Sequence, residues 1–121
     1  MALIRIIDLK TRAIIGTHPW ERKNAQEIII NITIEYDAAK ASKSDKLQDA
    51  LNYEAVANKV LALVERSSCL LLEKLTAKAL DIVMADKRVR YAVVRIDKPQ
   101  AIALAKAVSV ELMGERKEGK G

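Results

Sequence analysis

Residues 27–37, EIIINITIEYD, alternate apolar and polar side chains more cleanly than any other part of the chain. Ile28, Ile30, Ile32, Ile34 and Tyr36 fall on one side. Glu27, Asn31, Thr33, Glu35 and Asp37 fall on the other, with Ile29 the exception. That period of two predicts a strand. A second strand is predicted over residues 3–15, LIRIIDLKTRAII. Ile4 and Ile6 share one face and Ile7 and Leu9 the other, so the phase slips and a bulge is expected. Gly16 breaks the pattern, and residues 17–26, THPWERKNAQ, read as a polar loop. Residues 38–51 are small and charged and predict a connection with one turn of helix. Asn52 suits an N-cap. Tyr53, Val56, Ala57, Val60, Leu63 and Val64 then repeat at helical spacing. Residues 66–68 break that helix. A second helix is expected over residues 70–85, with Leu72, Leu75, Ala79, Ile82 and Val83 as its apolar stripe and Ser67 or Ser68 as its cap. After the charged turn at 86–88, strands are predicted at 90–97 and 107–113. The tail GERKEGKG reads as disordered, with the folded domain taken as 1–116 and 117–121 beyond it.

The predicted order is therefore ββααββ, an α+β domain. Two amphipathic helices can cover only one face of a four-stranded antiparallel sheet. The other face carries Ile29, Asn31, Thr33 and Glu35. A small open sheet with a half-polar face and free edges invites closure by copies of itself, so a homo-oligomer is expected.

The strand at 90–97 also sets up the first candidate for chemistry. Ala92, Val94 and Ile96 share a face, and the same alternation puts Lys98 with them. Pro99 then withholds a ladder donor and ends the strand. A lysine is thus set at the rim of an apolar face on a stiff element. In such a setting a lysine can exchange protons near neutral pH. A strand-end lysine can also simply snorkel to water.

Three other residues stand beside it. Glu21 lies in the first loop next to Trp20, where position alone argues for a solvated acid. Glu73 sits early in the second helix inside CLLLEKL, where the surrounding leucines predict partial burial. A carboxylate so placed can receive the paired N–H donors of a guanidine-like ring edge. Tyr53 opens the first helix, where a tyrosine usually staples to the core and in fewer cases donates a proton. His18, Trp20 and Cys69 read as structural residues or site walls.

Composition narrows the classes. The chain has 121 residues, half of them hydrophobic, with no Phe and one Trp, so its core must be aliphatic. No apolar run is long enough for a membrane span, and the start MALIRIIDLK lacks a signal-peptide layout. One Cys allows no internal disulfide, which suits the cytoplasm. One His and one Cys make a zinc site from these ligands implausible, and there is no glycine-rich phosphate loop. The net charge of +5 favours anionic ligands. Nucleic acid is disfavoured, because the basic residues are scattered and aromatic platforms are missing.

IGTHPWERKNAQ, DALNYEAV, LLLEKLTAKALDIV and VRIDKPQAIALAKAVSVEL, in that order and spacing, resemble the dihydroneopterin aldolase and dihydroneopterin triphosphate 2′-epimerase family. The likeness runs from Ile4 to about Arg116. It implies the tunnelling fold: ββααββ subunits closed into a ring, two rings stacked into an octamer, with sites between neighbours. It implies a pterin substrate and neither metal nor cofactor. Position by position, Glu73 matches the acid that anchors the pterin ring. Lys98 matches the catalytic lysine. Tyr53 matches the tyrosine that protonates the intermediate from the neighbouring subunit. Glu21 matches the loop acid near the substrate's side chain. Leu51, Asn52, Leu71 and Leu72 would line the pocket. HPWER is more like the aldolases, whereas DALNY, LLEKLT and SVEL are more like the epimerases. The expectation drawn is an aldolase of folate synthesis with epimerase activity; the alternatives are the triphosphate epimerase and a non-catalytic pterin-binding or assembly protein.

Overall fold

The isoleucines on the inner side of residues 27–37 are the floor of the core. Ile28, Ile30, Ile32 and Ile34 are each exposed by 1% or less. Burying one such side chain stabilises the fold by about 1.5–3 kcal/mol. A β-branched side chain also suits the pleated surface of a strand.

The computed structural model describes residues 1–99 and 101–117. Its elements are β1 (Ala2–Ala13), β2 (Gln26–Tyr36), α1 (Ala39–Ser44), a 3-10 turn at Leu47–Asp49, α2 (Tyr53–Glu65), α3 (Leu72–Met84), β3 (Val89–Pro99) and β4 (Ala107–Glu115). The strands form one antiparallel sheet in the order β1-β2-β3-β4. The α+β architecture is as the periodicity predicts.

The helices cover one face. Val56, Val60 and Val64 of α2 and Leu75, Ala79 and Val83 of α3 meet Ala92, Val94 and Ile96 of β3 and the isoleucines of β2 in one buried cluster. Thr76 is buried among them, and its hydroxyl donates to the Leu72 carbonyl at 2.8 Å. Asn52 is the N-cap of α2, accepting from the Ala55 N–H at 3.0 Å.

The phase slip in β1 is a bulge. The pairing with β2 shifts between Ile6 and Leu9, and Asp8 has φ +56°. The Asp8 N–H donates to Asn31 Oδ1 at 2.9 Å, which replaces the ladder bond the bulge forfeits. The uncovered face carries Ile29, Asn31, Thr33 and Glu35 of β2, beside Val93 and Arg95 of β3.

Three expectations need correction. Neither Ser67 nor Ser68 caps α3. Its N-cap is Leu71, without a side-chain hydrogen bond, and the Ser67 hydroxyl instead donates back to Leu63 O at the end of α2. The strand expected over 3–15 stops at Ala13, because Ile14 and Ile15 turn into the loop. The tail is ordered further than its composition suggests. β4 continues through Gly114 and Glu115, and the Arg116 guanidinium donates to the carbonyls of Val89, Met84 and Asp86. Residues 118–121, on which the rest of that expectation falls, lie outside the described residues. Among the described residues no helix is long and apolar enough to cross a membrane.

Candidate active site

The loop between β1 and β2 is built around one buried carboxylate. Gly16 takes φ +121°, a conformation open to glycine, and reverses the chain after Ile15. Tight turns follow, with the N–H of Glu21 and Arg22 donating to His18 O at 2.9 and 3.3 Å. They fold the Glu21 side chain back inside its own loop. Its Oε1 accepts from the His18 N–H at 3.1 Å. Its Oε2 accepts from Gln26 Nε2 at 3.1 Å and from Lys98 Nζ at 2.5 Å. A Cβ at Gly16 would stand 2.2 Å from the Glu21 carboxyl carbon, so the space that glycine leaves is the space the acid fills.

Glu21 is only 3% exposed, and the Lys98 side chain 14%. Burial by itself would raise the Glu21 pKa. The hydrogen bonds from Lys98, the His18 N–H and Gln26, with the lysine's charge, outweigh that and hold it at about 2, against an ordinary 4.5. At neutral pH the acid is therefore ionised and locked to the lysine.

Lys98 arrives from the opposite side. It follows Ile96 on the inner face of β3 and pairs with Val108 of β4, one residue before the strand ends at Pro99. A cleft of about 330 Å³ opens where strand end and loop meet. Its lining comes chiefly from two segments, His18, Trp20 and Glu21 in the loop and Leu70, Leu71 and Leu72 at the start of α3, with Lys98 between strand end and loop.

Of the eight residues singled out from the sequence, the structure brings Glu21, Lys98, Leu71 and Leu72 together at this cleft. It does not bring Leu51, Asn52, Tyr53 or Glu73 to it. Leu51 is buried in the core and Asn52 is engaged as a helix cap. Tyr53 is 59% exposed rather than stapled to the core, because the helix stripe that packs inward runs through Val56, Val60 and Val64. Glu73 is exposed rather than half-buried, because Leu70 and Leu71 are themselves exposed and do not fence it in. The reverse holds for Glu21, which is enclosed although its position argues for solvent.

Sequence reasoning missed Gln26 and Arg22. Gln26 Nε2 ties Ile15 O to the Glu21 carboxylate. The Arg22 guanidinium donates to the carbonyls of Gly16, Ser68 and Cys69. Both contacts depend on a closed loop, and only the glycine at its start hinted at one. Among the described residues no group of three His, Cys, Asp or Glu side chains could hold a metal ion.

The chain has relatives among known proteins. The FolB family model, described as dihydroneopterin aldolase, matches residues 4–113. A dihydroneopterin triphosphate 2′-epimerase of Pseudomonas aeruginosa is 42% identical over 116 residues, spanning 96% of this chain and 94% of its own. A dihydroneopterin aldolase of Escherichia coli is 29% identical over 110 residues, spanning 91% and 90%. The crystal structure of E. coli dihydroneopterin aldolase in complex with neopterin matches with a TM-score of 0.90 at 28% identity, covering 94% of this chain and 99% of that one. The higher identity to the epimerase makes the aldolase, the first expectation from the motifs, the less favoured of the two. With matches this extensive in both sequence and fold, the chain belongs to the dihydroneopterin aldolase and dihydroneopterin triphosphate 2′-epimerase family.

Proposed function

We propose that the protein is a dihydroneopterin triphosphate 2′-epimerase that works by a reversible retro-aldol step, with aldolase cleavage as a second outcome. The observation that carries this is the Lys98–Glu21 pair, 2.5 Å apart at the end of a cleft. Support for the epimerase over the aldolase comes from the 42% and 29% identities to the two kinds of relative.

The chemistry needs few groups. Breaking a carbon–carbon bond beside a hydroxyl requires an electron sink, and a 7,8-dihydropterin carries one in its own C6=N5 bond. Lys98, an ammonium in its pair with Glu21, gives a proton to N5 through a water and takes back the proton of the 2′-hydroxyl, directly or through a water. The C1′–C2′ pair moves into the ring as N5 takes a proton. An enamine and glycolaldehyde result, the aldehyde keeping the triphosphate where the substrate has one. Addition of C1′ to the other face of the aldehyde inverts C2′. Protonation of C1′ instead gives 6-hydroxymethyl-7,8-dihydropterin and releases the aldehyde. The protein has to orient the ring, manage protons and keep water out.

In this scheme Glu21 fixes Lys98 and faces the substrate's side chain, while Glu73 receives the ring's amino group and N3–H. Tyr53 protonates C1′. It is exposed and does not line the cleft of its own subunit, which suits delivery from a neighbouring copy. Leu51 and Asn52 would shape that neighbouring edge, and Leu71 and Leu72 would cover the ring. The uncovered sheet face and free edges suit closure into a ring, with a stacked octamer as the proposed assembly.

The test is to incubate the protein with 7,8-dihydroneopterin triphosphate and with free 7,8-dihydroneopterin, then separate the products. Inverted triphosphate as the main product is expected. Hydroxymethyl-dihydropterin as the main product from both substrates would restore the aldolase. Neither product from either substrate would end the assignment.

A further inference from the structure

The walls of the cleft come from distant parts of the chain. One is the loop after β1, with His18, Trp20 and Glu21; the other is the link into α3, with Leu70, Leu71 and Leu72. Neither wall belongs to the sheet at that point, so no strand ladder holds them in register. Arg22 does so. Its Nη1 donates to Gly16 O and to Cys69 O, each at 3.0 Å, and its Nη2 donates to Ser68 O at 2.5 Å. The Gly16 N–H adds a bond to Cys69 O at 3.3 Å. A guanidinium is a rigid plane of donors, so carbonyls from two segments on one plane fix the distance between them. Arg22 directly follows Glu21, and Cys69 directly precedes the three leucines. The clamp therefore sets how far Glu21 and Lys98 stand from the opposite wall.

That distance bears on the step at which the two outcomes part. After the C1′–C2′ bond breaks, the aldehyde either turns and adds back or leaves. We propose that Arg22 is a positioning residue that keeps the cleft narrow enough to retain the aldehyde, and so sets the ratio of inverted to cleaved product. This rests on the retro-aldol scheme above.

The test uses the full chain as wild type, Arg22→Ala and Arg22→Lys, with free dihydroneopterin and isotopically labelled glycolaldehyde in the medium. In Arg22→Ala the ratio of inverted to cleaved product should fall by about tenfold, within the roughly hundredfold that a misplacement of about 1 Å can cost. Label should also enter the inverted product more readily than in wild type. Arg22→Lys keeps the charge but not the plane and should fall between the two. If Arg22→Ala does not fold by circular dichroism, Arg22→Lys decides: a lowered ratio supports the clamp and a wild-type ratio overturns it. Slower turnover at an unchanged ratio and unchanged labelling would show a merely structural role and overturn it too. If the wild type makes neither product, the retro-aldol scheme falls and takes this proposal with it. An active wild type with unaltered variants removes Arg22 alone.

Discussion

Lys98 Nζ lies 2.5 Å from Glu21 Oε2, and the two side chains are 14% and 4% exposed. They are 77 positions apart in sequence, and their pairing joins the end of β3 to the first loop. Removing one member leaves the other charged, buried and unpaired, which typically costs about 3–5 kcal/mol. Replacing both by apolar groups need not cost as much. Glu21→Leu should therefore lower the melting temperature sharply, and Glu21→Leu with Lys98→Met should recover much of it. Neither protein should turn over substrate. Thermal melts of the two singles and the double form the cycle that checks this; simple additivity would show the pair is not coupled.

The same carboxylate predicts a pH dependence. Glu21 binds its proton more weakly in the folded chain, at about 2, than at its ordinary 4.5. Its contribution to stability is complete above about 4.5, fades as pH falls toward 2 and is gone below that. Urea midpoints of wild type and Glu21→Gln should differ most at neutral pH and converge across that window. Parallel curves would place the stabilisation elsewhere.

Gly16→Ala meets two obstacles at once: φ +121° and a Cβ position 2.2 Å from the Glu21 carboxyl carbon. Backbone strain of this kind costs about 1–3 kcal/mol before the acid has moved. The variant should melt lower and lose activity, because the displaced carboxylate no longer holds Lys98. Wild-type turnover in Gly16→Ala would show that the lysine does not need that anchor.

Lys98→Ala and Glu73→Ala should fail differently. The first should lose turnover far more than pterin affinity. The second should weaken binding by about ten- to a hundredfold, the scale of a charge-assisted hydrogen bond, with turnover at saturation less affected. Titration calorimetry with neopterin, beside steady-state kinetics, separates the two. The opposite pattern would exchange their roles.

Tyr53→Phe should suppress the cleaved product more than the inverted one, because inversion by re-addition needs no proton on C1′. Product ratios read this directly, and equal suppression would give Tyr53 another role.

Much of the fold was legible because burial on one face of a sheet enforces a period of two. Five residues of β2 and the phase of Lys98 two places beyond Ile96 follow from counting. The bulge at Asp8 showed as a slip in that count, and Asn52 as a cap before a helical repeat. The loop was not legible. Glu21 is buried by a glycine turn and by partners at 18, 26 and 98, a closure that no local period encodes. Tyr53 and Glu73 were misjudged for a related reason. The inward stripe of α2 starts at Val56 and passes Tyr53 by, and apolar neighbours shield an acid only where they pack inward themselves, which Leu70 and Leu71 do not. Ser67 could cap forward or bond backward, and the choice was made by the end of α2.

Apart from the Tyr36 ring the core is aliphatic, and Trp20, the chain's single indole, stands in the lining of the cleft, 57% exposed. The molecule thus carries an indole reporter at its candidate pocket and none in its interior, where the buried aromatic is the phenol of Tyr36. Tryptophan emission should respond to a flat heterocycle entering beside it while the core remains silent. Occupancy can then be followed in the unlabelled protein, apart from unfolding.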